Sequence, residues 1–305
     1  MKKTTLLTIA LAATLTACNN DNPTPNAGVN EPNFTASIAA APGSRAYDSS
    51  WEADDAIGIS GQSGDKTYSN LKYTTDGTGT FAAAGDRIYF QDNAEVTFTS
   101  YYPWSDAAAT ADTRIQASQK AFDYLWAQAT GSKSSPNIKF NFAHKMSKVV
   151  ITARCGSDVT YDEVKNAVLS LGEFNASASF DRNTGIVTSD NATTLTFANN
   201  TTAEQNAPAA ADDATKTVAY TLIVAPQSFA NALTFTATQP GAQTYTAAID
   251  FTDANRNAGI ADPRNEWLAG YQYDISVTIH KTGVSVQGCT ITAWTEADGG
   301  NFDAK

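Results

Sequence analysis

Apolar and polar residues alternate with a period of two along most of this chain, and long stretches with helical spacing are nearly absent. Phe34, Ala36 and Ile38 face one way while Thr35 and Ser37 face the other. The same alternation recurs over residues 87–90, 95–102, 138–142, 148–153, 216–225, 232–238, 244–251, 271–280 and 290–294. Turns rich in Gly, Asn, Asp and Pro separate these runs, the pattern of an all-β sandwich and not of a fold alternating strands with crossover helices. Residues 115–126 are ambiguous, because Phe122, Leu125 and Trp126 also suit a short helix. A boundary at Gly156, Ser157 and Asp158 gives two sandwiches in tandem, 33–157 and 158–305, each of ordinary domain size. Residues 189–216, rich in Asn, Thr, Ala and Asp, read as a long exposed loop of the second, and loops of that length are more often functional than inert.

Composition narrows the class. The chain has 305 residues, 42% hydrophobic and 17% charged, which is normal for a globular protein with real cores. Its 20 basic and 31 acidic residues leave a net charge of −11. The basic residues are scattered singly, so no patch for nucleic acid forms.

The amino terminus reads as an export signal. Residues 1–17 have a basic start, a short apolar run and small residues before a cysteine. Leu15, Thr16, Ala17 and Cys18 resemble the lipobox of bacterial lipoproteins, in which the cysteine is lipidated and becomes the first residue. Residues 18–32 form a polar, proline-containing tether of the kind an anchored protein uses. Asp21 weakly resembles the acidic export signal of surface lipoproteins.

Candidate chemistry is sparse. Cys155 and Cys289 have no metal-ligand spacing and, with only His144 and His280 beside them, no metal site or cofactor is expected. A disulfide is open to them in an exported chain, but two buried thiols in different domains are the favoured reading. No nucleophile elbow, dinucleotide fingerprint or zinc-protease motif occurs, and both histidines read as structural or surface residues, so no enzyme is expected. Residues 253–259 resemble a calcium loop only in part, because Gly259 falls one place late and Arg264 stands where an acid is needed. Asp54 and Asp55 read as a solvated turn. Tyr101, Tyr102, Trp104, Tyr124 and Trp126 could stack on sugar rings, although core packing explains them as well.

Four stretches together carry a resemblance: the lipobox; Ser44, Arg45 and Ala46 ahead of Trp51 and residues 55–59; FAHKMSKV at 142–149; and GYQY at 270–273 leading to ITAW at 291–294. Their order and spacing resemble the fimbrillin family, the type V pilins of the Bacteroidales with their Mfa-like and FimA-like relatives. The resemblance implies two transthyretin-like β-sandwich domains and export as an outer-membrane lipoprotein of the cell surface that meets the membrane only through its lipid. It further implies that an arginine-specific protease cuts after Arg45, leaves Ala46 as the new first residue, and allows polymerisation with other pilin subunits into an adhesive fimbrium. A ligand on a host or bacterial surface is a further implied partner.

The residues suit that scheme. Arg45 is the only arginine before Arg87, and Pro42, Gly43 and Ser44 set it in a loop, where proteases act. Losing the strand and loop at 33–45 would bare apolar positions and an edge that a neighbour's strand repairs. Residues 284–294 followed by 295–305 are the donor candidate. The roles of stalk, tip and anchor stay open, and a surface glycan-binding lipoprotein is the alternative.

Overall fold

The computed structural model describes residues 30–38, 50–114, 116–198, 217–239, 241 and 243–294. The fold is all-β. In the first part, alternating segments form β1 (Asn33–Ile38), β2 (Ala53–Ser63), β3 (Lys66–Asp76), β4 (Thr80–Ala83), β5 (Val96–Tyr102), β6 (Thr110–Asp112), a 3-10 helix (Gln116–Ala121), β7 (Leu125–Gly131) and β8 (Asn137–His144). Seven of these strands close on themselves in the order β1-β4-β3-β2-β5-β7-β8. Strict alternation makes that closure work: Ile138, Phe140 and Phe142 of β8 point inward while Asn137, Lys139 and Asn141 point out. Trp51, Ile57, Ile59, Phe81, Phe98 and Phe140 are among the residues that fill the interior.

The second part holds β9 (Ser147–Cys155), α1 (Tyr161–Lys165), β10 (Val168–Phe180), β11 (Val187–Ala198), β12 (Thr217–Val224), β13 (Gln227–Ser228), β14 (Leu233–Thr238), β15 (Thr244–Ile249), α2 (Thr252–Asn257), β16 (Glu266–Trp267), β17 (Tyr271–His280) and β18 (Gly283–Ala293). One sheet runs β11-β10-β14-β15 and another β12-β9-β17-β18, with β13 and β16 as a short pair. Val149, Leu169, Phe235 and Ile275 belong to the core these sheets share. Helix α1 starts on a complete capping box, in which Thr160 accepts from the Glu163 N–H and the Glu163 carboxylate accepts from the Thr160 N–H.

Several expectations change. Strand β9 falls before the anticipated boundary, yet it pairs with β12 and β17 and sends Val149, Ile151, Ala153 and Cys155 into the second core. The pairing therefore carries this strand across the boundary, while β6 of the first part pairs with β10 of the second. The first ten residues of the expected 189–216 loop lie in strand β11, because threonines suit an edge strand with one wet face and β10 supplies its partner. Residues 199–216 lie outside the described residues. The ambiguous 115–126 segment splits into the 3-10 helix and the start of β7. Residues 87–90 bury Ile88 and Phe90 without joining a ladder. Residues 252–257 form a helical turn, with Asn255 buried and donating to the carbonyls of Arg264 and Glu266.

The 3-10 helix has a job at a sheet edge. Gln116 donates its amide to the Ile223 carbonyl at 2.8 Å and accepts from the Ile223 N–H at 3.0 Å, so one side chain stands in for a neighbouring strand residue along β12. Gln119 donates to the Thr221 carbonyl at 2.7 Å. An unpaired strand edge is a template for unwanted pairing, and these two glutamines cover it. Gln116→Ala leaves both Ile223 groups unpaired in a buried place and is expected to lower stability by about 1–3 kcal/mol in chemical denaturation.

Candidate functional site

The candidate site is the seat of β1. This strand pairs with β8 in parallel over its whole length, from Asn33 opposite Asn137 to Ile38 opposite Phe142. Its other side meets β4 only at Phe34 and Thr35. The ladder is extended by Ala36, whose N–H donates to the Gly79 carbonyl at 2.8 Å. Gly79 has φ +81°, and a Cβ there would sit 2.6 Å from the Ala36 oxygen, so this close approach requires glycine. Phe34 is buried with its ring edge-on to Tyr73 and Phe98 and stacked on Phe140, at 5.1, 5.4 and 5.7 Å between centroids. Burial pushes the Tyr73 hydroxyl up to about 12.

The chain leaves β1 at Ile38 and is described again from Ser50, where Trp51 returns to the same seat. The Trp51 indole donates to the Ala36 carbonyl at 2.9 Å and packs edge-on against Phe81, Tyr102 and Phe142. Trp51 is thus a floor under β1 that lies after Arg45 in the chain. Behind it, Asp55 accepts from the Glu52 N–H at 2.8 Å and the Tyr102 hydroxyl at 3.1 Å, and pairs with Lys120 at 2.9 Å. Lys120 also bonds Glu52. Asp55 is buried in this network, which corrects its reading as a solvated turn; Asp54 beside it takes the left-handed conformation, φ 70°, in an irregular stretch of β2. Burial, and then the negative charge of Asp55, raise the Tyr102 hydroxyl.

The aromatic residues considered for sugar stacking form the joint between the two parts. Tyr101 and Tyr124 are buried with Phe180, Ile223 and Trp294 in a third cluster, with Trp104 and Trp126 packed against it, while Tyr102 lies in the first core. The Trp126 indole donates to the Arg182 carbonyl and the Trp104 indole to the Asn70 carbonyl, at 3.0 and 3.3 Å. Lys72 lies over the Trp104 ring and Lys145 over Trp126. These rings are used in packing and hydrogen bonds rather than laid out as an open platform.

His144 is buried in the same joint, stacked on Trp294 with centroids 3.7 Å apart, and its Nδ1 lies 2.9 Å from Asp123. His280 is at the surface beside Asp158, 3.1 Å away. Cys155 and Cys289 belong to the same sheet, not to different domains: they face Ile279 and Ile275 from opposite sides of β17, and no disulfide joins them. Cys155 is buried, Cys289 is half-buried, and burial pushes the Cys289 thiol up to about 12. Among the described residues, no three His, Cys, Asp or Glu are grouped to hold a metal ion. Cys18, Arg45 and Ala46 lie outside the described residues. The partnership of β1 with β8 and the Trp51 bond to β1 were not readable in advance, since both join segments far apart in sequence.

The class is thus an all-β protein in which the first described strand closes a barrel beside a further set of packed sheets. The profile of fimbrillin-like proteins matches residues 44–294, and the chain belongs to that family. It is 32% identical to a protein of Bacteroides uniformis provisionally named fimbrium subunit Fim1C, over 98% of each chain. A crystal structure of a provisionally assigned cell adhesion protein from Bacteroides uniformis is similar with TM-score 0.63 and 28% identity, covering 86% of this chain and 99% of that one. Another such protein, from Bacteroides ovatus, shares the fold with TM-score 0.65 at 21% identity, covering 88% and 99%.

Trp51→Phe removes the indole bond to β1 and keeps the aromatic packing, at a cost of about 1 kcal/mol. Amide hydrogen exchange across residues 33–38 is expected to quicken about fivefold, with β17 unchanged. Equal protection of β1 in both proteins would remove Trp51 from this role.

Proposed function

We propose that this protein is a structural or accessory subunit of a surface fimbrium, exported as a lipoprotein through Cys18 and assembled by strand exchange after proteolysis between Arg45 and Ala46. The observation that carries this reading is the seat of β1: the strand that precedes Arg45 in the chain is the stave that closes the first barrel. Membership of the fimbrillin-like family and the full-length similarity to a protein named as a fimbrium subunit support it. Removing residues 33–45 opens the barrel between β4 and β8. It uncovers the sites of Phe34 and Ile38, each worth about 1.5–3 kcal/mol of burial, along with the β8 backbone edge. A neighbour's strand restores both, which makes assembly the stable outcome. The partners are other pilin subunits and an arginine-specific protease, the protein catalyses no reaction, and the membrane is met through the lipid alone.

Treatment of the purified chain with an arginine-specific protease is expected to yield a product starting at Ala46 that then forms ladders on a gel under mild denaturant. Arg45→Ala should abolish both. Ladders that persist unchanged in the variant contradict the proposal.

A further inference from the structure

Six arginines follow Arg45 in the chain, at positions 87, 114, 154, 182, 256 and 264. An arginine-specific protease has to seat the guanidinium in a pocket of its own and polarise the carbonyl of the same residue, so a substrate must offer both groups. We infer, on the reading in which cutting follows Arg45, that the fold withholds the other six arginines by holding the guanidinium, the backbone or both. Asp112, Asp253, Asp262 and Asn255 do this where exposure alone would leave an arginine open.

The side chains of Arg114, Arg256 and Arg264 are 48, 58 and 63% exposed, so lack of access does not protect them. Each is tied instead to a carboxylate two or three residues earlier: Arg114 to Asp112, Arg256 to Asp253 and Arg264 to Asp262. Arg264, in the loop between α2 and β16, has the most ties. Its Nε meets Asp262 at 2.9 Å, and its carbonyl accepts from the side-chain amide of the buried Asn255 at 2.7 Å. The next residue is fixed as well, since the Asn265 side chain accepts from the Phe251 N–H at 2.9 Å and donates to the Asn231 carbonyl at 2.7 Å. The Arg256 carbonyl accepts from the Gly259 N–H at 3.0 Å. A surface ion pair lowers the share of free guanidinium about threefold. A buried hydrogen bond to the carbonyl lowers the open population about tenfold more, and cutting follows that population.

The other three are held by the fold around them. Arg154 lies in the middle strand of a ladder, opposite Thr217 of β12 and Thr278 of β17. The Arg182 carbonyl accepts from the Trp126 indole at 3.0 Å, and the Arg182 guanidinium lies over the Tyr101 ring, 5.0 Å from its centroid. Arg87 pairs with Glu31 at 2.8 Å, and the N–H of the buried Ile88 that follows it donates to the Tyr73 hydroxyl at 3.1 Å. Glu31 precedes Arg45 and is lost with the leaving segment, whereas Ile88 and Tyr73 both stay with the body. Arg45 differs from the three exposed arginines in its own sequence, because Pro42 and Gly43 stand where those have an acid.

The test is limited digestion of the full chain, carrying Cys18→Ser, with an arginine-specific protease, the fragments being identified by mass. The parent chain is expected to be cut after Arg45 well before any of the other six. Asn255→Ala is expected to speed cutting after Arg264 about tenfold and Asp262→Ala about threefold, with no change after Arg154, which only unfolding of the ladder exposes. The inference is overturned if the parent is cut after Arg114, Arg256 or Arg264 as fast as after Arg45, or if neither variant is cut faster after Arg264. Where Asn255→Ala speeds cutting after Arg154 too, the fold has opened as a whole and the surface variant Asp262→Ala decides: a threefold gain after Arg264 upholds the inference and an unchanged rate overturns it. A chain that stays whole at Arg45 contradicts the processing reading itself, while the two variants still decide whether these ties protect Arg264.

Discussion

A β-barrel has no free edge only while every stave is present, and here the closing stave is a six-residue strand bonded along its whole length to one neighbour alone. That asymmetry governs the first part of the molecule. Strand β8 gives β1 its register, β4 touches it at two positions, and Gly79 and Trp51 add single bonds at Ala36. Burial of Phe34 and Ile38 supplies most of the hold. Such a strand is well seated while intact, and is the element whose loss leaves the rest of the barrel connected. Trp51 lies after Arg45 in the chain, so this part of the seat belongs to the segment that follows the arginine.

The second part is tied to this seat through the joint. Trp294 directly follows the last described strand and lies flat on His144 at the end of β8, while the Nδ1 at the edge of that imidazole lies 2.9 Å from Asp123. The chain beyond residue 294 therefore starts beside the strand that carries the seat. The long β17–β18 hairpin is itself hydrogen bonded into the second sheet, so residues 284–293 have a structural place within their own subunit.

The fold class was legible because period-two alternation survives in the buried strands: 138–142, 232–238 and 271–280 read as strands from apolar residues at every second place. Strand β11 was not, since an edge strand built of Thr, Asn and Asp carries the composition of a loop and only its pairing with β10 distinguishes it. The allegiance of β9 was hidden too, because both parts of the molecule offer apolar surroundings and partners in the ladder decide between them. Asp55 looked like turn punctuation; its burial depends on Lys120 and Tyr102, far away in sequence. The seat itself could be anticipated only as a strand before an arginine. That β1 closes a barrel by parallel pairing across more than one hundred residues of chain is a tertiary fact.

The central claim is that the protein assembled at the cell surface has lost the strand that closes its first barrel. N-terminal sequencing of the polymer drawn from the bacterial surface, beside the unassembled protein from the same cells, tests it most directly. The account predicts Ala46 as the first residue of the polymer and a lipidated Cys18 on the precursor. A polymer whose chains begin at Cys18 and still carry residues 33–45 would contradict it.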